Sequence, residues 1–175
     1  MGQYQKMTKA ELARQESDQR RPEFMEWLEP ERMDSQLRKF LTETVPDMPE
    51  NPFTVEGLNR AEAVALELMP GEDAPFPDDD ITDQFVRFLG ETFRRNFGGE
   101  WMNIPNWDRD ETLGPVVHQE FAFTYRDPRQ MLVVAISQRT GNEWSTMFEF
   151  ATEDYTQWTA AGRPPMREWK PQLFG

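Results

Sequence analysis

The sequence predicts a helix-rich α+β domain with a small antiparallel sheet and an N-terminal helical arm, on three observations. Ile81, Phe85, Phe88, Leu89, Phe93 and Phe97 recur at helical spacing and run into Gly98-Gly99, after which Trp101-Met-Asn-Ile104 reads as a strand. Residues 115–125 alternate, with Val117, Phe121, Phe123 and Tyr125 on one side and His118, Glu120 and Thr124 on the other. Three prolines within 45–52 interrupt the pattern and set an arm, residues 1–50, apart from a main body, residues 51–175.

In the arm, Thr8-Lys-Ala-Glu11 has the form of a capping box, so a helix starts there and runs toward Arg20. Its interior carries one large apolar residue, Leu12, and a helix with so little to bury is expected to fray or to dock on a partner. Beyond Pro22, the spacing of Phe24, Trp27 and Leu28, then of Met33, Leu37, Phe40 and Leu41, predicts helices over 23–29 and 31–44, with Pro30 in a first turn. The segment 45–52 is an extended linker.

In the body, Thr54 is placed to cap a helix over 55–69 whose Val55, Leu58, Ala61, Val64, Ala65 and Leu68 share one stripe, and Pro70-Gly71 stops it. The helix over 81–97 is expected to pack on this preceding helix. Asp78, Asp79 and Asp80 stand at its start, where carboxylates offset the positive end of the helix dipole. Gly90 costs that helix about 1 kcal/mol relative to alanine, which predicts a close backbone neighbour. Glu91 is spaced to pair with Arg94 or Arg95.

The strand at 100–104 should pair with 115–125, leaving Pro105–Gly114 as a polar surface loop around Trp107, Asp108 and Asp110. Asp127-Pro128 opens a segment to Arg139 that suits helix or strand equally, and Trp144, Met147, Phe148, Ala151 and Tyr155 then fit a helix. The tail from Gly162 is extended.

Composition narrows function mainly by exclusion. The 175 residues carry a formal charge of −13, and residues 51–110 alone hold 13 acids against 5 bases. Such a field repels nucleic-acid phosphates and anionic lipid heads while drawing basic proteins. The chain has no cysteine, which removes disulfides, thiolate metal sites and thiol nucleophiles. No stretch reads as a leader or a membrane span, so residence in the cytoplasm is expected.

His118 is the single histidine, so no His-based metal cluster can form, and Ser137 and Ser145 lack a nucleophile elbow. The triplet Asp78-Asp79-Asp80 lacks the glycine-punctuated spacing of a calcium loop, and Gly98-Gly99 lacks the lysine of a phosphate loop. No catalytic, cofactor or metal site is therefore assigned. Six tryptophans, thirteen phenylalanines and ten methionines remain, with Trp107, Trp144, Trp158 and Trp169 in or near loops and ends. Such residues serve either as interface anchors or as an aromatic core.

The run from Asp83 to Trp101, with Phe-Leu-Gly-Glu-Thr-Phe-Arg-Arg-Asn-Phe-Gly-Gly-Glu-Trp at its heart, resembles small actinobacterial proteins of the immunity-factor type, which include immunity factors for necrotizing NAD-hydrolysing toxins. The likeness spans Val55 to Ile104 and consists of fold-forming positions, so no inhibitory residue carries over. It implies a non-catalytic protein that binds a toxin in the producing cell and blocks its active site. An acidic surface at Asp78, Asp79, Asp80, Trp107, Asp108 and Asp110 would suit a basic toxin domain. The alternatives are a hydrolase-like enzyme using Glu91, Glu100 and Glu120 in a cleft, or a secretion-associated chaperone or adaptor.

Overall fold

A computed structural model describes residues 7–71 and 79–173. The elements run α1 (Lys9–Asp18), α2 (Pro22–Trp27), α3 (Pro30–Lys39) with a π-helical turn over Phe40–Thr44, α4 (Val55–Leu68), α5 (Asp79–Phe97), β1 (Glu100–Asn103), β2 (Pro115–His118), α6 (Pro128–Gln138), α7 (Glu143–Ala160) and α8 (Met166–Trp169). The fold is a helix-rich α+β domain with one two-stranded antiparallel sheet among the described residues. No helix among them is long and apolar enough to cross a membrane.

The centre is α5. Every residue from Gln84 to Phe93 is buried, so nearly three turns lack a solvent face. Helices α3, α6 and α7, the π turn and β2 surround it, and α4 packs mainly on α6 and α7. The expected pairing of α5 with α4 thus gives way to a helix enclosed from several directions. The polar side of α5 is met partly from outside: Gln84 accepts from Thr44 Oγ1 at 2.6 Å, and the Arg87 guanidinium donates to Trp27 O at 2.8 Å and, within its own helix, to Asp83 at 2.7 Å. Arg87 also lies 4.1 Å from the centre of the Trp27 ring. Its burial pulls the guanidinium pKa down, and Asp83 offsets part of that.

Residues 22–45 share this core. Phe24, Trp27, Met33, Leu37, Phe40 and Val45 are buried in one cluster with Leu58, Phe85, Phe88 and Trp144. Phe40 packs edge-on against Phe85 and stacks on Phe88. Helix α1 keeps its capping box, with Glu11 N–H donating to Thr8 and Thr8 N–H to Glu11. Polar contacts from Gln15, Asp18 and Gln19 hold it to the rest of the protein.

Strands β1 and β2 pair as expected, with Glu100 opposite His118 and Asn103 opposite Pro115. The long alternating strand does not form, because β2 ends at His118. The Gln119 amide turns inward to donate to Phe93 O and Gly98 O, near the C-terminal end of α5, and Ala122 N–H closes a turn onto Gln119 O. Phe121 enters the core while Tyr125 is left 40% exposed. Among the described residues, Val117 makes a further bridge, to Arg126.

Segment 128–138 is helix, started by Asp127 Oδ1 accepting from Gln130 N–H with Pro128 in the first turn. Helix α7 takes its N-terminal acceptor from another element: buried Glu62 of α4 accepts from Glu143 N–H at 3.1 Å and Trp144 N–H at 2.9 Å. Burial pushes the Glu62 pKa up, and those amides oppose it. Nothing in the sequence pattern separates Glu62 from a solvated helical glutamate.

Gly90 has a specific neighbour, though it is a side chain rather than a backbone. A methyl group there would lie 1.9 Å from Cη2 of Trp101, whose ring packs into the notch and meets Trp27 edge-on. Replacing Gly90 with Ala should therefore destabilise the protein despite alanine's helix propensity. Overpacking and the propensity gain together leave a net cost of about 1–2 kcal/mol, or a melting temperature about 3–6 °C lower. Thermal unfolding followed by near-UV dichroism checks this; an unchanged or raised midpoint would show that the notch does not hold the ring.

Candidate protein-binding loop

The loop between β1 and β2 is built from behind by Asn103. This side chain is fully buried and uses its two donors and its acceptor: Nδ2 donates to Asp18 O and to Thr112 O, both at 3.0 Å, and Oδ1 accepts from Gly114 N–H at 2.7 Å. Its backbone is clasped by Gln19, whose Oε1 accepts from Asn103 N–H and whose Nε2 donates to Asn103 O. Ile104 N–H donates to Gly114 O and closes the base.

Trp107 forms the second fixation. It opens a 3-10 turn over Trp107–Arg109, with Asn106 Oδ1 accepting from Asp108 N–H. The indole N–H donates to Asp18 Oδ2 at 2.8 Å, and the Arg14 guanidinium lies 4.6 Å from the ring centre. Asp18 is 1% exposed. Burial opposes its charge, but hydrogen bonds from Arg21 and Trp107, with the Arg21 charge, hold its pKa below the usual carboxylate range. Asp110 adopts a left-handed conformation at φ 52°, which aspartate tolerates better than most residues. Asp108 and Asp110 are exposed on a turn whose underside is locked.

The other acidic candidates divide. Asp78 lies outside the described residues. Asp79 is exposed at the start of α5, and Asp80 is half-buried, accepting from Lys39, Gln36 and Gln84, which pull its pKa down. Among the described residues no hydrogen bond or ion pair joins Asp79 or Asp80 to the loop: Asp80 is tied to α3, Trp107 to α1. Of the tryptophans expected near the surface, Trp144 and Trp158 are buried, with indole N–H groups donating to Met131 O and Pro164 O, so they build the core. Asn103 and Asp18 hold the loop yet escape sequence reading, since neither residue type nor spacing marks a buried side chain that organises a distant turn.

Two clefts flank the start of β1. One, of about 450 Å³, lies between Leu28, Met33, Arg94, Arg95 and Trp101, with Glu91 and Glu100 in its wall. Glu91 is 2% exposed, and its oxygens accept from Arg94 Nε and Nη2, Arg95 Nε and Trp101 Nε1 at 2.7–3.0 Å. Burial pushes the Glu91 pKa up, but Arg94, Trp101 and Arg95 together hold it below the ordinary glutamate value. The Glu100 side chain is 76% exposed. The second cleft, of about 380 Å³, holds Glu100, His118 and Glu120 beside an aromatic floor. The three carboxylates expected of a catalytic cleft are thus divided between two hollows, with Glu100 on their shared rim and Glu91 ion-paired.

Comparison with protein-family models, curated proteins and solved structures finds no match to this chain.

Asn103→Ala should release the loop, lowering stability by about 2–4 kcal/mol because the three hydrogen bonds of a buried side chain to Asp18 O, Thr112 O and Gly114 N–H are lost. Amide hydrogen exchange should then quicken at Gly114 while α5 stays protected; unaltered exchange at Gly114 would show that Asn103 does not organise the loop. Glu91→Gln should cost about 1–3 kcal/mol at neutral pH. A depressed carboxylate pKa contributes stability above the ordinary glutamate range and loses it as pH falls through the folded value. The variant should therefore show a flatter decline of melting temperature between about pH 5 and 3 than the parent. Parallel acid slopes would refute that linkage.

Proposed function

We propose that this protein is a non-catalytic binding protein of the immunity type, which covers the cationic active-site face of a basic toxin domain inside the producing cell. The observation that carries this reading is the exposed Asp108–Asp110 turn, fixed from behind by Asn103, Trp107 and Asp18. An inhibitor that works by occlusion needs surface groups already held in place, because ordering a mobile loop on binding subtracts from affinity. The net charge of −13 adds long-range attraction toward a basic partner. The partition of Glu91, Glu100 and Glu120 between two clefts favours binding over carboxylate catalysis.

The test is affinity capture from the native cell with the wild-type chain, compared with an Asp108→Lys/Asp110→Lys variant of unchanged melting temperature. Wild type should retain a basic protein whose toxic activity it suppresses, and the variant should bind it at least about tenfold more weakly. A captured partner indifferent to the double reversal, or one whose activity persists in the complex, would reject the assignment.

A further inference from the structure

The second cleft has a construction that the loop does not share. Its floor is four interlocked rings: Phe97 and Phe121 meet edge-on at 6.2 Å, Tyr155 lies 5.6 Å from Phe97 and 5.5 Å from Phe121, and Trp158 lies 5.9 Å from Phe121. Exposed Glu100 and Glu120 stand on its rim. Two helices also end there. Gly98 and Gly99 of the α5 terminus line the cleft, and α7 finishes beside Trp158. Helix C-termini carry partial negative charge, so helix ends, carboxylates and ring faces all favour a cation.

The protein already places one of its own cations there. Helix α7 closes with Arg163 N–H donating to Trp158 O and Gly162 N–H donating to Thr159 O, with Gly162 and Arg163 left-handed at φ 87° and 57°. This closure sets Arg163 over the floor, its guanidinium 5.6 Å from the Trp158 ring centre and 3.4 Å from Tyr155 Oη. Both distances are at the outer edge of such contacts, and Arg163 is exposed. Neither Glu100 nor Glu120 pairs with it; the Glu100 carboxylate has His118 Nδ1 at 3.9 Å.

From this arrangement we infer that the cleft is a docking site for an arginine side chain of a protein partner, with Arg163 as a loosely held internal placeholder. The incoming guanidinium takes the place of Arg163 against Tyr155, the one partly exposed ring of the four, and sits between Glu100 and Glu120, displacing Arg163 outward. Arginine fits better than lysine because its planar head offers both a stacking face and several in-plane donors. The inference goes beyond the loop and shares with the proposed function only the premise of a basic partner.

The probe is the peptide acetyl-Gly-Arg-Gly-amide, with the same peptide carrying citrulline as an isosteric uncharged control, titrated into the full ¹⁵N-labelled protein. Saturable shifts should appear at the Trp158 indole N–H and the Glu120 amide, in the millimolar range for arginine and at least about fivefold weaker for citrulline. Glu100→Gln/Glu120→Gln should weaken arginine binding roughly fivefold. Arg163→Gly, which keeps the left-handed turn, should tighten it. Absence of saturable shifts, equal response to citrulline, indifference to the glutamate pair, or shifts mapping instead to residues 105–114 would overturn the inference. The Asp108→Lys/Asp110→Lys variant should bind the arginine peptide like wild type, so failure of the loop and failure of the cleft are read separately.

Discussion

The structure depends on the middle of α5, Gln84 to Phe93, being buried on every side. An ordinary amphipathic helix gives its polar face to water, but α5 gives Gln84, Arg87, Glu91 and Thr92 to the interior, and each must find a partner there. Thr92 bonds back to Phe88 O in its own helix, while the others reach out to Thr44, to Trp27 O and to Trp101. These obligations fix the turn after α3, the end of α2 and the start of β1 relative to one helix. The hydrophobic effect gathers these elements, and the polar contacts leave few registers in which they can settle.

The hairpin takes its position from the same constraint. Trp101 occupies the notch at Gly90, shares Glu91 with two arginines and meets Trp27 edge-on, so β1 is located at its second residue. Gly99 serves this junction as well, since at φ 106° a methyl group would lie 2.3 Å from His118 O. From the located strand, Asn103 projects back toward α1 and organises the loop. A chain of fixed contacts therefore runs from the central helix to an exposed acidic turn.

Much of this was legible as periodicity, and the misses share one physical origin. Helices α3, α4, α5 and α7, the cap at Thr54 and the pairing of β1 with β2 follow from spacing and cap chemistry, which are local, whereas the segment of α6 suits helix or strand equally by its pattern and the structure makes it helix. The alternation over 115–125 does not become one strand because Gln119, a polar residue in the run, satisfies carbonyls at the end of α5 instead of continuing the ladder. Helix α1 looked unsupported because its support is polar and non-local, through Asp18 and Gln19. Glu62 capping α7 and Asn103 closing its loop belong to the same class: a single polar side chain buried by contacts far along the sequence leaves no period. Surface acids are legible as charge, but not which of them stand on a rigid base.

Charge and rigidity contribute differently to recognition. The acidic surface can accelerate encounter with any basic protein, which by itself discriminates little. Discrimination needs groups at fixed separations. Here the two features proposed as contacts lie at opposite ends of β1, the aromatic cleft at Glu100 and the acidic loop beyond Asn103. Three residue steps of strand separate those ends by about 10 Å. A strand anchored through Trp101 to the buried middle of α5 holds that spacing without flexible linkage, so a partner presenting an arginine and a second cationic patch at matching separation meets both contacts at once. One that presents charge without the spacing meets only one.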